Sequence, residues 1–446
     1  MLHPMKEIIK MQKDGIPAGI YSVCSSNNYV IEAAMESALA NNECLLIEAT
    51  ANQVNQFGGY TGMKPIDFKE FVFEIADKVG FPKEKIILGG DHLGPLVWKS
   101  LDEETAMNYS KFLIREYVLA GFSKIHIDTS MHIGKDLESG KFGDEIIAER
   151  AATLCEVAED AFNLLSKSDR DALHPVYVVG SEVPIPGGGQ DEEEEELQAT
   201  KPSNLETTIK TFKDAFTSHG LENVFNEDVI AVVVQPGVEF NTDTVWEYNR
   251  EKAKALSETL KNYPSLVFEA HSTDYQTPYA LKELVEDGFA ILKVGPALTF
   301  ALREGLFALG CIEEDLFAHD ENIEVSNFKT ILDYAMVKEP ENWKNHYKGT
   351  GKMIKFERKY SFSDRCRYYL PNSEVDYSLH KMLSNLGTTE IPLALISQYM
   401  PSQYKKIRLN QLNNNAESLL KDKVKECIDD YSFATQYSVE KDLIHI

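Results

Sequence analysis

Residues Ile86–Pro95 read IILGGDHLGP. An apolar run passes through two glycines into an adjacent Asp91-His92 pair and stops at Gly-Pro. Apolar residues that end in ligand-competent side chains are the mark of a buried parallel strand with chemistry at its C-terminal end. The same plan recurs along the chain. Gly19–Ser25 reads GIYSVCS, Cys44–Gln53 CLLIEATANQ, Lys124–Ser130 KIHIDTS and Val176–Pro184 VYVVGSEVP. Val229–Phe240 reads VIAVVVQPGVEF, Leu266–Tyr275 LVFEAHSTDY and Phe289–Thr299 FAILKVGPALT, which makes eight candidate strands. Helical segments separate them: Tyr29–Asn41, Asp67–Val79, Glu103–Ala120, Glu145–Ser166, Asn204–His219, Thr244–Asn262, Tyr279–Asp287 and Ala301–Leu306. Eight strand–helix alternations predict an α/β fold, a (β/α)8 TIM barrel, over an open doubly wound sheet.

The expected division is a TIM-barrel catalytic domain over residues 1–320 and a C-terminal helical region over 321–446 that closes over the barrel mouth. Helices are expected there at Leu332–Asn345, Leu379–Leu386, Ile391–Met400 and Ala416–Tyr431. Among 446 residues, 43% are hydrophobic, which excludes a disordered chain. Lys+Arg number 45 against 71 Asp+Glu, a net charge of −26, which argues against nucleic acid as a partner. No apolar run approaches the roughly 18 residues of a membrane span, and the first residues lack a secretory apolar segment. Six cysteines without a CxxC fit a reducing compartment, so a cytoplasmic location is expected. The acidic run 191–196, after Pro186-Gly187-Gly188-Gly189, reads as a solvated loop or as a lid hinged on its glycines.

Polar residues gather where the strands end: Glu48, Asp91, His92, Asp128, Glu182, Gln235 and His271. Barrel active sites form on that face. His92, Glu182 and His271 offer two imidazole nitrogens and a carboxylate from three strands, leaving the open position a catalytic metal needs. Such a set suits a divalent metal, zinc first, with nickel, cobalt or manganese as alternatives. Asp91, Asp128 and Glu182 are the candidate catalytic carboxylates, although Asp128 also reads as a loop cap. His126 is expected to face the other side of its strand and to be structural. Lys293 is assigned an electrostatic role beside the metal, with Schiff-base chemistry the alternative. Asn52 and Gln56, in the amide- and glycine-rich NQVNQFGGYT, suit polyhydroxyl recognition or a surface turn. Ser361, Arg365 and Arg367 form a candidate phosphate pocket, or else salt bridges to nearby carboxylates.

Eight segments together carry a resemblance: NQVNQFGGYTGM, ILGGDHLGP, GFSKIHIDTS, VVQPGVEF, EAHSTDYQT, ILKVGPALTFALRE, SDRCRYY and ISQYMP. They resemble the family of tagatose-bisphosphate aldolase non-catalytic subunits, which includes members described as tagatose/fructose 6-phosphate 4-epimerases and relatives acting on the free sugars. The likeness runs from Gly19 to about Gln403, and the acidic insertion after Gly189 departs from it. More distantly, the chain resembles zinc-dependent class II aldolases, in which an Asp-His pair supplies base and ligand and a later-strand His supplies another ligand. Asp91-His92 and His271 match that pattern, whereas Gln235 stands near the place of the aldolases' further zinc histidine.

The resemblance implies a metal-dependent 4-epimerase that interconverts tagatose and fructose, free or as 6-phosphates. It leaves a non-catalytic stabilising partner of a class II aldolase subunit as the competing expectation; a homo-oligomer is expected besides. The chemistry is consistent. The C4 proton of a 2-ketohexose is β to the ketone and is not acidified by it. Transient oxidation needs a nicotinamide, and no GxGxxG follows a strand here. Cleaving C3–C4 by a retro-aldol step, rotating the aldehyde and re-forming the bond needs a metal and a carboxylate to shuttle the C4 hydroxyl proton. In that scheme Gln235 and Lys293 contact substrate and the two arginines hold a 6-phosphate. A sugar-phosphate kinase is disfavoured because no P-loop or kinase signature occurs.

Overall fold

The computed structural model describes residues 3–136, 142–184 and 197–436. The acidic run 191–196 and the glycines before it lie outside them. Eight parallel strands close into a barrel: β1 Ile20–Val23, β2 Leu45–Thr50, β3 Ile86–Leu93, β4 Lys124–Ile127, β5 Val176–Val179, β6 Val229–Val233, β9 Val267–Ala270 and β10 Ile291–Val294. Neighbours in the barrel follow chain order and β1 pairs with β10, as a TIM barrel requires. A short hairpin, β7 Glu239–Phe240 and β8 Val245–Trp246, stands between β6 and β9. The sequence reading placed a helix from Thr244 onward. Instead the helix begins at Arg250, because Asn249 caps it by accepting from the Lys252 N–H.

Along each strand alternate residues face the helices or the interior. The outward set, such as Ile47, Ile125, Ile127, Tyr177, Phe268 and Leu292, joins the helices in one large core. The inward set changes character with height. Its lowest layer is apolar: Ile20, Leu46, Ile87, Val176, Ala231, Val267 and Ile291. Above it sit Glu48, Lys124, Glu269 and Lys293, all buried. The bottom is sealed by a helix that the sequence reading missed, Pro4–Lys13, whose Met5 and Ile9 pack onto the apolar layer. His3 caps that helix and its Nε2 lies 3.1 Å from Ser123 Oγ, while Lys6 pairs with Asp228 at 2.6 Å.

Beyond β10, the helix Pro296–Phe317 completes the outer ring. Among the described residues six further α-helices follow: Phe328–Lys338, Gly351–Tyr360, Ser373–Leu386, Leu393–Tyr399, Pro401–Arg408 and Ala416–Thr435. The last packs on the barrel flank, against Asn28–Asn41, Pro278–Glu286 and Pro296–Phe317. The segment 361–369 instead reaches the mouth. It is clamped there by Asp364, which accepts from Thr299 Oγ1 (2.7 Å) and Arg303 Nε (3.3 Å). Phe362 supports the clamp through its N–H to the Thr242 carbonyl and its carbonyl to Tyr275 Oη. Among the described residues, no helix is long and apolar enough to cross a membrane.

Candidate active site

The GGDH sequence of β3 is built for the barrel interior. A Cβ on Gly89 would lie 2.6 Å from Glu48 Cγ, so this glycine makes room for the Glu48 side chain. The β3–β4 register then shifts between Gly90 and Leu93. At that irregularity His92 adopts φ +48°, a conformation costly for a side chain with a Cβ. Consecutive residues of a regular strand face opposite sides, but a bulge re-aims them, and here Asp91 and His92 both reach the site. His271 lies one residue beyond β9 and is followed by Ser272 at φ +54°, a second strained turn on the same rim.

Four buried residues converge. One ligand atom each of Asp91, His92, His126 and His271 lies within 4.8 Å of the others. The three imidazoles form a near-equilateral triangle, with ring centroids 4.9, 5.0 and 5.1 Å apart. Each ring is tied to its own carboxylate. His92 Nδ1 is 2.7 Å from Asp128 Oδ2, His126 Nδ1 is 2.9 Å from Asp91 Oδ1, and His271 Nε2 is 2.9 Å from Glu269 Oε1. A carboxylate on one ring nitrogen orients an imidazole and leaves the other nitrogen for a metal. His126 Nε2 has no hydrogen-bond partner although it is buried. That orphaned atom and the donor set fit a divalent cation.

The charge balance fits as well. Lys124 pairs with Glu48 (2.9 Å) and Glu269 (2.7 Å), while Lys293 pairs with Glu48 and with Asp91 (3.1 Å). With Asp128, four carboxylates face two ammonium groups, a formal excess of two negative charges; burial works against protonation of His92, but Asp91 and Asp128 outweigh it and raise this imidazole. Burial alone would raise the Asp91 carboxyl, but His92, Lys293 and His126 hold it well below the usual range. Burial likewise opposes ionisation of Asp128, yet its bond to His92 holds it at about 2. Burial pushes His271 down to about 4 despite Glu269, which keeps the imidazole neutral and able to ligate.

A cleft of about 640 Å³, counted to its open mouth, lies over the cluster. Asp91, His92, His271 and Lys293 line it from the barrel; Asn52, Gln53 and Tyr60 line it from the loop after β2. Arg367 and Tyr368 reach it from the C-terminal region. Arg367 donates to the Ser363 and Asp364 carbonyls and to Tyr368 Oη, and no carboxylate pairs with it among the described residues. Tyr368 meets Tyr60 edge to face at 4.9 Å. Asp274, also on the wall, accepts from the N–H groups of Gly295 (3.0 Å) and Ala297 (2.8 Å), and burial raises its carboxyl to about 6.

Several sequence-based expectations find other places. His126 does not face away from the site. Lys124, His126 and Asp128 are two residues apart and share the inward face, while Ile125 and Ile127 take the outer one. Glu182 is not in the cluster. Its carboxylate accepts from Thr200 Oγ1 and Asn204 Nδ2, which ties down the loop after β5. Gln235 Oε1 caps the Gly237 and Val238 N–H groups. Gln56 donates to the Tyr109 carbonyl and Ser361 bonds Ser363, so these two brace loops; Arg365 donates to the Asn342 carbonyl, but its buried Nε has no hydrogen-bond partner among the described residues and it interacts with Tyr368 and Arg367. Lys124 and Glu269 went unnoticed in the sequence, although charged residues inside otherwise apolar strands were their signal.

The chain matches the D-tagatose-1,6-bisphosphate aldolase subunit GatZ/KbaZ-like family over residues 5–436. A crystal structure from Sinorhizobium meliloti 1021, described as a probable tagatose 6 phosphate kinase, is 42% identical. It covers 94% of this chain and 100% of its own, with a TM-score of 0.83. Far more distant are the YdjI aldolase from Escherichia coli K12 and the fructose-bisphosphate aldolase from Campylobacter jejuni. The first is 13% identical (TM-score 0.41, covering 83% of this chain and 96% of that one). The second is 14% identical (TM-score 0.40, covering 92% and 94%). With a barrel whose mouth gathers these residues and a match over nearly its whole length, this chain belongs to the D-tagatose-1,6-bisphosphate aldolase subunit GatZ/KbaZ-like family.

Proposed function

We propose that the protein is a metal-dependent ketohexose 4-epimerase that interconverts tagatose and fructose, as free sugars or 6-phosphates, by reversible cleavage of C3–C4. The observation that carries this reading is the ring of three carboxylate-oriented imidazoles beneath a cleft that also holds a guanidinium with no carboxylate partner among the described residues. In this reading residues 1–320 supply the reacting groups, and residues 321–446 supply Arg367 and Tyr368 at the mouth.

His92, His126 and His271, with Asp91 beside them, would hold a divalent cation, zinc before nickel, cobalt or manganese. When bound, it would supply Lewis-acid stabilisation of the enediolate charge that builds as C3–C4 breaks. The chain's own residues do the rest. Asp91 lines the cleft as a carboxylate and takes the proton of the C4 hydroxyl. The O–H pair becomes the aldehyde C=O, and the C3–C4 pair moves onto the ketose fragment. Rotation of the aldehyde presents its other face, the bond re-forms, and Asp91 returns the proton. Lys293, 3.1 Å from Asp91, keeps that carboxylate ionised between turnovers. Asp128 is a positioning residue, because it orients His92 and, unlike Asp91, does not line the cleft. Asn52 binds a hydroxyl, Arg367 takes a phosphate, and Tyr60 with Tyr368 screens the fragments from water.

Purified, metal-analysed protein should convert fructose 6-phosphate or free fructose to the C4 epimer in a chelator-sensitive reaction resolved by chromatography. No conversion of any of these sugars, with metal present, would overturn the reading. The family description favours one alternative, a stabilising subunit of a tagatose-bisphosphate aldolase. In that case the protein would lengthen the lifetime or raise the activity of an added class II aldolase and convert no sugar alone.

A further inference from the structure

The cleft contains one acidic group that the proposed chemistry does not use. Asp274 is 3% exposed and lines the cleft beside Gly295 and Pro296. Its Oδ1 takes the N–H groups of Gly295 and Ala297, which open the helix Pro296–Phe317 after the eighth strand. In barrels of this kind the N–H groups after the seventh and eighth strands are the usual seat of a substrate phosphate, because a helix N-terminus offers both donors and positive potential. Here those donors are already satisfied by the protein's own carboxylate. Asp274 makes no ion pair among the described residues; Arg367, on the same cleft, offsets only part of the effect of its burial, so its charge also faces an anion that enters on the eighth-strand side. The cleft's guanidinium, Arg367, is furnished from a different part of the chain.

We propose that Asp274 is a specificity-determining residue: it closes the eighth-strand side of the cleft to phosphate and reserves it for a hydroxyl-bearing end of the sugar. The protein then accepts ketohexoses with at most one phosphate, held at Arg367, and rejects bisphosphates. This rests on the reading of the cleft as a ketohexose site. It turns an aldolase-like barrel away from an aldolase's bisphosphate substrate by repulsion and by occupation of the donors a phosphate would need.

The test is binding, read by titration calorimetry on the metal-loaded protein, with fructose 6-phosphate, fructose 1,6-bisphosphate and inorganic phosphate as probes. The wild type should bind the monophosphate at least about tenfold more tightly than the bisphosphate. Asp274→Ser, which frees the N–H groups, should raise bisphosphate affinity at least about tenfold and change monophosphate affinity less. Asp274→Asn keeps an accepting oxygen for the helix cap but removes the charge, and should raise bisphosphate affinity by a smaller factor. Equal wild-type affinities, or a ratio unchanged in both folded variants, would overturn the role of Asp274. If the wild type binds neither sugar phosphate nor, titrated alongside them, free fructose, the ketohexose reading falls. The role of Asp274 as a phosphate block would still stand on a gain of inorganic phosphate binding in Asp274→Ser, and would fall without it.

Discussion

The two ends of this barrel are filled by opposite chemistry. At the bottom, Ile20, Leu46, Val176 and their neighbours meet Met5 and Ile9 of a capping helix, and the interior is apolar. At the top, the same strands present three histidines, paired carboxylates and residues in strained conformations, His92 and Ser272 among them. Between the ends, Lys124 and Lys293 bridge Glu48, Glu269 and Asp91 and neutralise charge that an apolar interior could not hold alone. The lesson is a division of labour within one set of strands. The lower half supplies stability, and the upper half spends some of it to hold polar groups in fixed positions.

That division can be broken from either end. The largest effect should come from the top: His92→Ala is expected to reduce turnover by more than about a hundredfold and to lower bound metal, with the far-UV spectrum unchanged. Preserved turnover in a folded variant would remove the cluster from the chemistry. At the bottom, Met5→Ala should cost about 2–5 kcal/mol of unfolding free energy by denaturant titration while metal content per folded molecule stays constant. A parallel loss of metal would show that the two ends are not independent. Asp128→Asn sharpens the comparison, since it keeps the shape but weakens the orientation of His92. Metal affinity should fall roughly 10–100-fold with little change in melting temperature.

The smallest effect concerns a titration at the bottom. His174 sits between Glu159 (3.2 Å) and Asp228 (3.4 Å). Burial works against its protonation, but those two carboxylates outweigh it and push it up to about 10. A raised folded value means the protonated ring stabilises the fold fully below about pH 6.5 and loses that contribution as pH climbs through 10. Melting temperatures of His174→Gln should therefore fall less steeply than wild type across that window, and parallel curves would contradict the assignment.

The barrel was legible because its outward and lower positions are ordinary apolar ones, so eight runs stand out in the sequence. The rim was legible for the same reason, since polar residues at strand ends contrast with what precedes them. His126 was legible in principle, because the spacing Lys124, His126, Asp128 places all three on one face, and the reading that turned it away misjudged that alternation. Other features depend on contacts distant in sequence. Nothing local in Asp91-His92 announces the bulge that brings both inward. The Pro4–Lys13 helix offers only Met5 and Ile9 as buried apolar residues and makes sense only against the barrel floor. Glu182 lies at a strand end like a ligand, but Thr200 and Asn204, from the next segment of chain, claim its carboxylate.

The central claim is that His126 and not Glu182 completes the metal-binding set. Metal content by plasma mass spectrometry on folded His126→Ala and Glu182→Ala, purified side by side with wild type, tests it most directly. The account predicts that His126→Ala loses its metal and Glu182→Ala keeps a near wild-type load. Metal retained in His126→Ala and lost from Glu182→Ala would contradict it.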